Sequence, residues 1–124
     1  MSSKARIAGA TVRIPTAEAT RSRMVELMEL AATRLMRPHL RDGESSIAIE
    51  MNLTYAAPAT MGGAMRAVAT YDGISGRMHR FTINTFDESG LIGSAKHTRA
   101  VVTERGLLTV ARRRAVSASM LHNA

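Results

Sequence analysis

Apolar residues recur along this chain with two periods, and the change between them divides it. From Thr16 to Leu40 the period is helical. At about 100° per residue, Met24, Leu27, Met28, Ala31 and Leu35 fall in one narrow sector, with Arg23, Glu26, Arg34 and Arg37 opposite. Ser22, Val25, Glu29 and Met36 run along one margin of that stripe. Thr16 followed by Glu18 is a helix-start signal, a capping oxygen and then an acid in the first turn. Pro38 and then Asp42-Gly43 close the element.

Beyond the helix the period drops to two. Ile47, Ile49, Met51, Leu53 and Tyr55 alternate with Ala48, Glu50, Asn52 and Thr54, which predicts a half-buried strand. The stretch Ala56 to Gly63, with Pro58 and a Gly pair, reads as a connection. Met65 to Tyr71 predicts a second strand, Asp72 to Gly76 a hairpin turn, Met78 to Phe86 a third strand and Asp87 to Gly90 another turn. Leu91 to Thr103 predicts a long fourth strand. Glu104 to Gly106 reads as a turn and Leu107 to Ala111 as a last short strand. Ahead of the helix, Ala10 to Ile14 alternates like a short strand ended by Pro15.

One helix ahead of a run of consecutive strands predicts an α+β fold, because an antiparallel sheet with one apolar face needs a cover. The only substantial helix must lie across that face. The expected architecture is one central helix wrapped by a curved antiparallel sheet of about five strands. A free sheet edge would offer a second copy a place to pair, giving a homodimer or a tetramer.

Composition narrows the chemistry. The chain has 124 residues, a length for a single domain, 1–124. Its ordered core is expected over about residues 10–111, with a basic polar tail over 112–124. There is no Cys, which removes disulfides, thiolate metal sites and Cys nucleophiles. No two of His39, His79, His97 and His122 have metal-ligand spacing, so no metal is expected. The N-terminus lacks a secretion signal and no stretch is long enough to span a membrane, so the expected location is the cytoplasm, with no membrane partner. The net charge of +7 raises nucleic acid as a partner, but the basic residues are scattered and aromatic stacking platforms are nearly absent. A nucleotide-bearing small molecule fits the charge at least as well. The nine Met residues suit an irregular or ligand-shaped interior.

Glu29 is the strongest catalytic candidate. A carboxylate at the margin of an apolar stripe is partly desolvated, which favours general-base chemistry, although most helix-edge acids are simply solvated. His97 and Arg99 share one parity of the fourth strand, and His97 could serve as an acid–base group or an anion contact. Asn52 and Thr54 share one face of the first long strand; Tyr55 lies on the other.

Together these residues resemble a known family. The helix Met24-Val-Glu-Leu-Met-Glu-Leu-Ala31, the segment from Tyr55 to Gly62, and the strand from Ile92 to Val101 with its Gly-Ser-x-x-His-x-Arg-Ala-Val pattern are similar, in order, to the hotdog-fold thioesterases of the fluoroacetyl-CoA type. The resemblance implies a homodimeric hotdog domain that hydrolyses an acyl-CoA or acyl-carrier-protein thioester. CoA or phosphopantetheine would be part of the substrate, and no separate cofactor is implied. Glu29 matches the family's catalytic Glu as general base or nucleophile, and His97 and Arg99 match its basic strand motif near the pocket. Ala48 stands where relatives carry a Gly of the oxyanion site.

Two departures stand out. The family's catalytic His aligns with Tyr55, and its catalytic Thr with Arg21, flanked by Thr20 and Ser22, either of which offers a hydroxyl. Tyr55, Asn52 and Ser22 or Thr20 are thus expected to orient water or substrate, with Ala48, His97, Arg99 and Arg21 contacting substrate. The segment between Pro15 and the helix is also shorter than in relatives, which implies a more open cavity and another substrate. The alternatives are hydration, dehydration or amide hydrolysis on the same scaffold in secondary metabolism, or non-catalytic binding of a small molecule or acyl chain.

Overall fold

The computed structural model describes residues 6–13, 20–59 and 63–122. The elements are β1 (Ile7–Arg13), α1 (Thr20–Met36), a 3-10 turn (Arg37–His39), β2 (Glu44–Tyr55), β3 (Ala64–Ser75), β4 (Met78–Asp87), β5 (Gly90–Thr103) and α2 (Glu104–His122). The helix-start signal at Thr16 and Glu18 lies outside the described residues, as do Thr60 to Gly62 of the connection after β2.

The helical stripe forms as its spacing predicts. Met24, Leu27, Met28, Ala31, Ala32, Leu35 and Met36 are buried, while Arg23, Glu26, Arg34 and Arg37 are exposed. Each large apolar side chain so buried contributes about 1.5–3 kcal/mol. The stripe packs on Met65, Ala67, Ala69, Phe81, Ile83, Ile92 and Ala95 of the sheet. Arg34 ties the helix to the first strand by donating to the Gly9 carbonyl at 2.8 Å. The outer sheet face is polar, with Ser94 donating to Asn84 at 2.7 Å and Lys96 to Thr82 at 2.8 Å.

All strand pairings are antiparallel and the sheet order is β1-β3-β4-β5-β2. Only β3, β4 and β5 form the expected consecutive meander. The strand β2 crosses to pair with β5, and β1 takes the place beside β3, so that the helix between β1 and β2 is carried across the sheet face. Hydrophobic alternation fixes which face a strand buries, but not its neighbour, which is why sequence suggested a simpler order. The turn expected at Asp72 to Gly76 is also narrower. The strand β3 runs on through a bulge at Tyr71/Gly73, and the reversal falls at Gly76, whose φ of 62° suits glycine.

The largest difference lies at the C-terminus. In place of a short strand at Leu107 to Ala111, Glu104–His122 is a single α-helix, with every described side chain exposed. Thr103 caps it, its hydroxyl accepting from the Gly106 backbone N–H at 3.0 Å. No helix of the described residues is long and apolar enough to cross a membrane.

Candidate active site

The pleat of β5 turns Gly93, Ala95, His97 and Arg99 toward α1. On β2, Met51 pairs with His97, Leu53 with Ala95 and Tyr55 with Gly93, so these residues share that inner face. Asn52 pairs with Lys96 on the opposite face. The structure therefore does not bring Asn52 to Glu29, because neighbouring residues on a strand point to opposite faces.

His97 and Arg99 are buried, at 1% and 5% exposure. His97 Nδ1 lies 2.7 Å from the Glu50 carbonyl, and its Nε2 lies 3.1 Å from Arg99 Nη1. Arg99 also donates from Nε to the Ser46 hydroxyl at 3.0 Å and from Nη2 to the Ser46 carbonyl at 2.9 Å. Burial pushes the His97 imidazole below its ordinary value, with the Arg99 charge adding to the effect; the Glu50 carbonyl and the Glu29 charge oppose it. Burial likewise lowers Arg99, and the Glu29 charge opposes that shift. Glu29, half-buried on α1, thus stands within electrostatic reach of both groups. Its helix position is one the margin of the stripe dictated. Among the described residues, the one ion pair joins Arg23 to Glu26 at 3.4 Å, so the buried guanidinium is held by neutral acceptors.

Ala48 pairs with Arg99, and the β2–β5 register shifts between Ala48 and Glu50. A bulge of this kind leaves backbone out of the ladder. This irregular stretch of backbone lies next to Arg99.

A second group gathers at the other end of the helix. The Arg21 guanidinium sits 4.5 Å from the centroid of the Tyr55 ring. The two positions that depart from the family pattern thus contact each other. Thr20 is half-buried nearby in sequence, and Ser22 is exposed. Eight residues of helix separate Arg21 from Glu29, about 12 Å at 1.5 Å per residue. The structure therefore sorts the candidates into two groups: Glu29, Ala48, His97 and Arg99 in one, and Thr20, Arg21, Ser22 and Tyr55 toward the helix N-terminus.

Two parts of the first group escaped the sequence reading. Ser46 and the Glu50 carbonyl hold Arg99 and His97, yet neither carries a signal until the β2–β5 register is known. Tyr71 and His79, which meet at 2.9 Å between Oη and Nδ1, lie on the same side of the sheet, where His79 pairs with Arg99. Among the described residues no group of three His, Asp or Glu could hold a metal ion.

Comparison with known proteins follows the same lines. The family model for the fluoroacetyl-CoA-specific thioesterase matches residues 4–105. The fluoroacetyl-CoA thioesterase of Streptantibioticus cattleyicolor is 34% identical over 79 residues, covering 64% of this chain and 57% of that relative's length. A thioesterase superfamily member from Thermus thermophilus superposes with a TM-score of 0.81 at 22% identity, over 92% of this chain and 93% of the other. A variant of the fluoroacetyl-CoA-specific thioesterase, solved with fluoroacetate and CoA, gives 0.71 at 25% identity, over 80% and 94%. The arrangement of one long helix laid across a five-stranded antiparallel sheet is the hotdog fold.

Proposed function

Because the chain belongs to the fluoroacetyl-CoA-specific thioesterase family, we propose that it hydrolyses an acyl thioester of CoA or of a carrier protein, with Glu29 as the reacting carboxylate. The observation that carries this reading is the retained Glu29 beside a buried, neutrally clamped Arg99. As a general base, Glu29 takes a proton from water while the oxygen attacks the thioester carbonyl carbon. The tetrahedral intermediate collapses with cleavage of the C–S bond, and the departing thiolate takes the proton back, leaving a carboxylic acid and a free thiol. As a nucleophile, Glu29 would form a mixed anhydride that water then opens. In both courses negative charge grows on the carbonyl oxygen, where backbone N–H groups released by the bulge at Ala48 are the suited donors.

Arg99 supplies positive charge beside this centre. Three of its N–H groups are engaged within the protein, which leaves two of the five for an anionic oxygen of substrate or intermediate. Arg21 over Tyr55, with Ser22 and Thr20 beside it, lines the approach at the helix N-terminus. The structure of a relative with fluoroacetate and CoA supports a CoA thioester as the first substrate to try. The working unit we propose is a homodimer formed through the free edge of β2, and the proposed setting is the cytoplasm.

The test is release of free thiol across a panel of acyl-CoA and acyl-carrier-protein thioesters. Glu29→Gln should lower kcat by about 10²–10⁴-fold on whichever thioester the wild type cleaves. A Glu29→Gln protein as active as wild type would remove Glu29 from the mechanism.

A further inference from the structure

His97 is among the most buried polar side chains of the molecule, yet its surroundings leave it no room to exchange protons with a substrate. One ring nitrogen faces a carbonyl oxygen, the Glu50 backbone at 2.7 Å, which can only accept. Nδ1 must therefore carry the proton. The other nitrogen faces Nη1 of Arg99 at 3.1 Å, a group that can only donate. Nε2 must therefore present its lone pair. Both partners demand the same tautomer, and both ring nitrogens are spoken for. The ring is further held against Phe81, with centroids 6.0 Å apart.

We propose that His97 is a positioning residue that works in its neutral Nδ1–H form. The Glu50 carbonyl holds the Nδ1 proton, and Nε2 becomes the acceptor that, together with Ser46, fixes the Arg99 guanidinium within reach of Glu29. Its action on turnover passes through Arg99 and rests on the thioesterase reading, whereas the tautomer itself does not. Protonation of Nε2 would set N–H against N–H and cation against cation, so the clamp on Arg99 opens as His97 gains its charge. The charged groups that act on this ring are Arg99 on its own strand and Glu29 from α1; on β4 Phe81 lies opposite it and His79 lies opposite Arg99. On β2 the residue opposite it is Met51, and the Glu50 carbonyl accepts from Nδ1. Glu29 favours the charged ring; burial and Arg99 oppose it and prevail.

This assigns the strand pattern His-x-Arg a division of labour that spacing alone cannot show. Residues two apart on a strand share a face, and the bulge in β2 frees the Glu50 carbonyl region to meet the first while Ser46 meets the second. His97 then makes no contact with substrate.

Two measurements on the full-length protein decide the matter. Imidazole 15N spectra at pH 7 should show His97 with a protonated Nδ1 and a bare Nε2. An Nε2–H tautomer or an imidazolium overturns the inference, whatever the protein hydrolyses. The Arg99 Nε–H signal should exchange slowly in wild type and in His97→Gln, whose side-chain oxygen replaces the Nε2 acceptor, and broaden in His97→Phe, which keeps the ring and loses the acceptor. On a cleaved acyl-CoA, wild-type kcat/KM should fall as pH drops through the folded His97 value, which burial holds below the ordinary 6.5. His97→Gln should keep more activity than His97→Phe and shift that acid limb to lower pH, and His97→Phe should fall about tenfold to a hundredfold. An acid limb unmoved in His97→Gln, or a His97→Phe protein with wild-type kcat/KM, overturns it. If His97→Phe does not fold, the His97→Gln profile decides alone. If wild type cleaves no thioester, the function fails while the tautomer and the Arg99 exchange rates still judge this inference.

Discussion

Thr85 shows how much a single buried atom can say. It is fully buried at the centre of the inner face, between Ala67 and Gly93 in the sheet register, and among the described residues its Oγ1 is the one buried side-chain polar atom without a partner. A buried hydroxyl left unpaired costs about 1–3 kcal/mol. Thr85→Val, which keeps the shape and removes the hydroxyl, is expected to raise stability by about 1 kcal/mol, read as a higher urea midpoint at unchanged slope. A lower midpoint would mean that the hydroxyl has a partner in solution. Thr85 was invisible in the sequence because a Thr on an alternating strand reads the same whether or not it meets a donor. Glu29 was legible for the opposite reason: helix periodicity alone puts it at the margin of the apolar stripe, and its half-buried state follows. Ser46 was not legible, since its role depends on a pairing 53 residues away.

At the scale of elements, what is local was readable and what depends on pairing was not. The buried face of α1 followed from its spacing, and the strand segments from their alternation. The position of β2 beside β5 did not. At Gly93 a helix side chain packs directly onto the backbone of β5. A Cβ there would lie 2.6 Å from Met24 Sδ and 3.5 Å from Leu53 Cδ1. Met24 is fully buried, so Gly93→Ala should force its side chain to repack and cost about 1–3 kcal/mol, measured by thermal or urea unfolding. An unchanged midpoint would show that Met24 repacks without loss. The helix α2 was misread because Gly106 looked like a breaker and Leu107 to Ala111 like alternation. Thr103 and Glu104, a cap followed by an acid, were the correct signal. Thr103→Ala should therefore lower the helical circular dichroism signal through loss of about 1 kcal/mol at the cap, and leave the unfolding of the sheet core where it was. A shift of the core transition would mean that α2 is coupled to the sheet more strongly than its exposure indicates.

Across the whole molecule, the buried His97 and half-buried His79 couple stability to pH. Burial lowers both His97 and His79, reinforced by the charges of Arg99 and His39 respectively. The unfolded chain takes up these protons near 6.5, so between that value and the lowered folded ones the unfolded state binds more protons and stability rises with pH. The contribution is complete above 6.5 and is lost as pH falls through the folded values. Urea midpoints at pH 7.5 and 5 should differ in that direction, and less so in His97→Gln. The same inner face explains why assembly should matter to activity. The strand β2 holds Arg99 through Ser46, yet its other side is unpaired among the described strands over twelve residues, and Ile49 at its bulge is 48% exposed. A long free edge with an apolar residue is a template for a second copy. Ile49→Lys, a charge on that edge, should convert the proposed dimer to a monomer in sedimentation velocity and make the thermal midpoint independent of protein concentration. Because β2 carries the Ser46 clamp and the Ala48 bulge, the monomer should also lose turnover while keeping its fold. An Ile49→Lys protein that sediments as wild type would place the contact between copies elsewhere; one that is monomeric and fully active would make each protomer's site complete by itself.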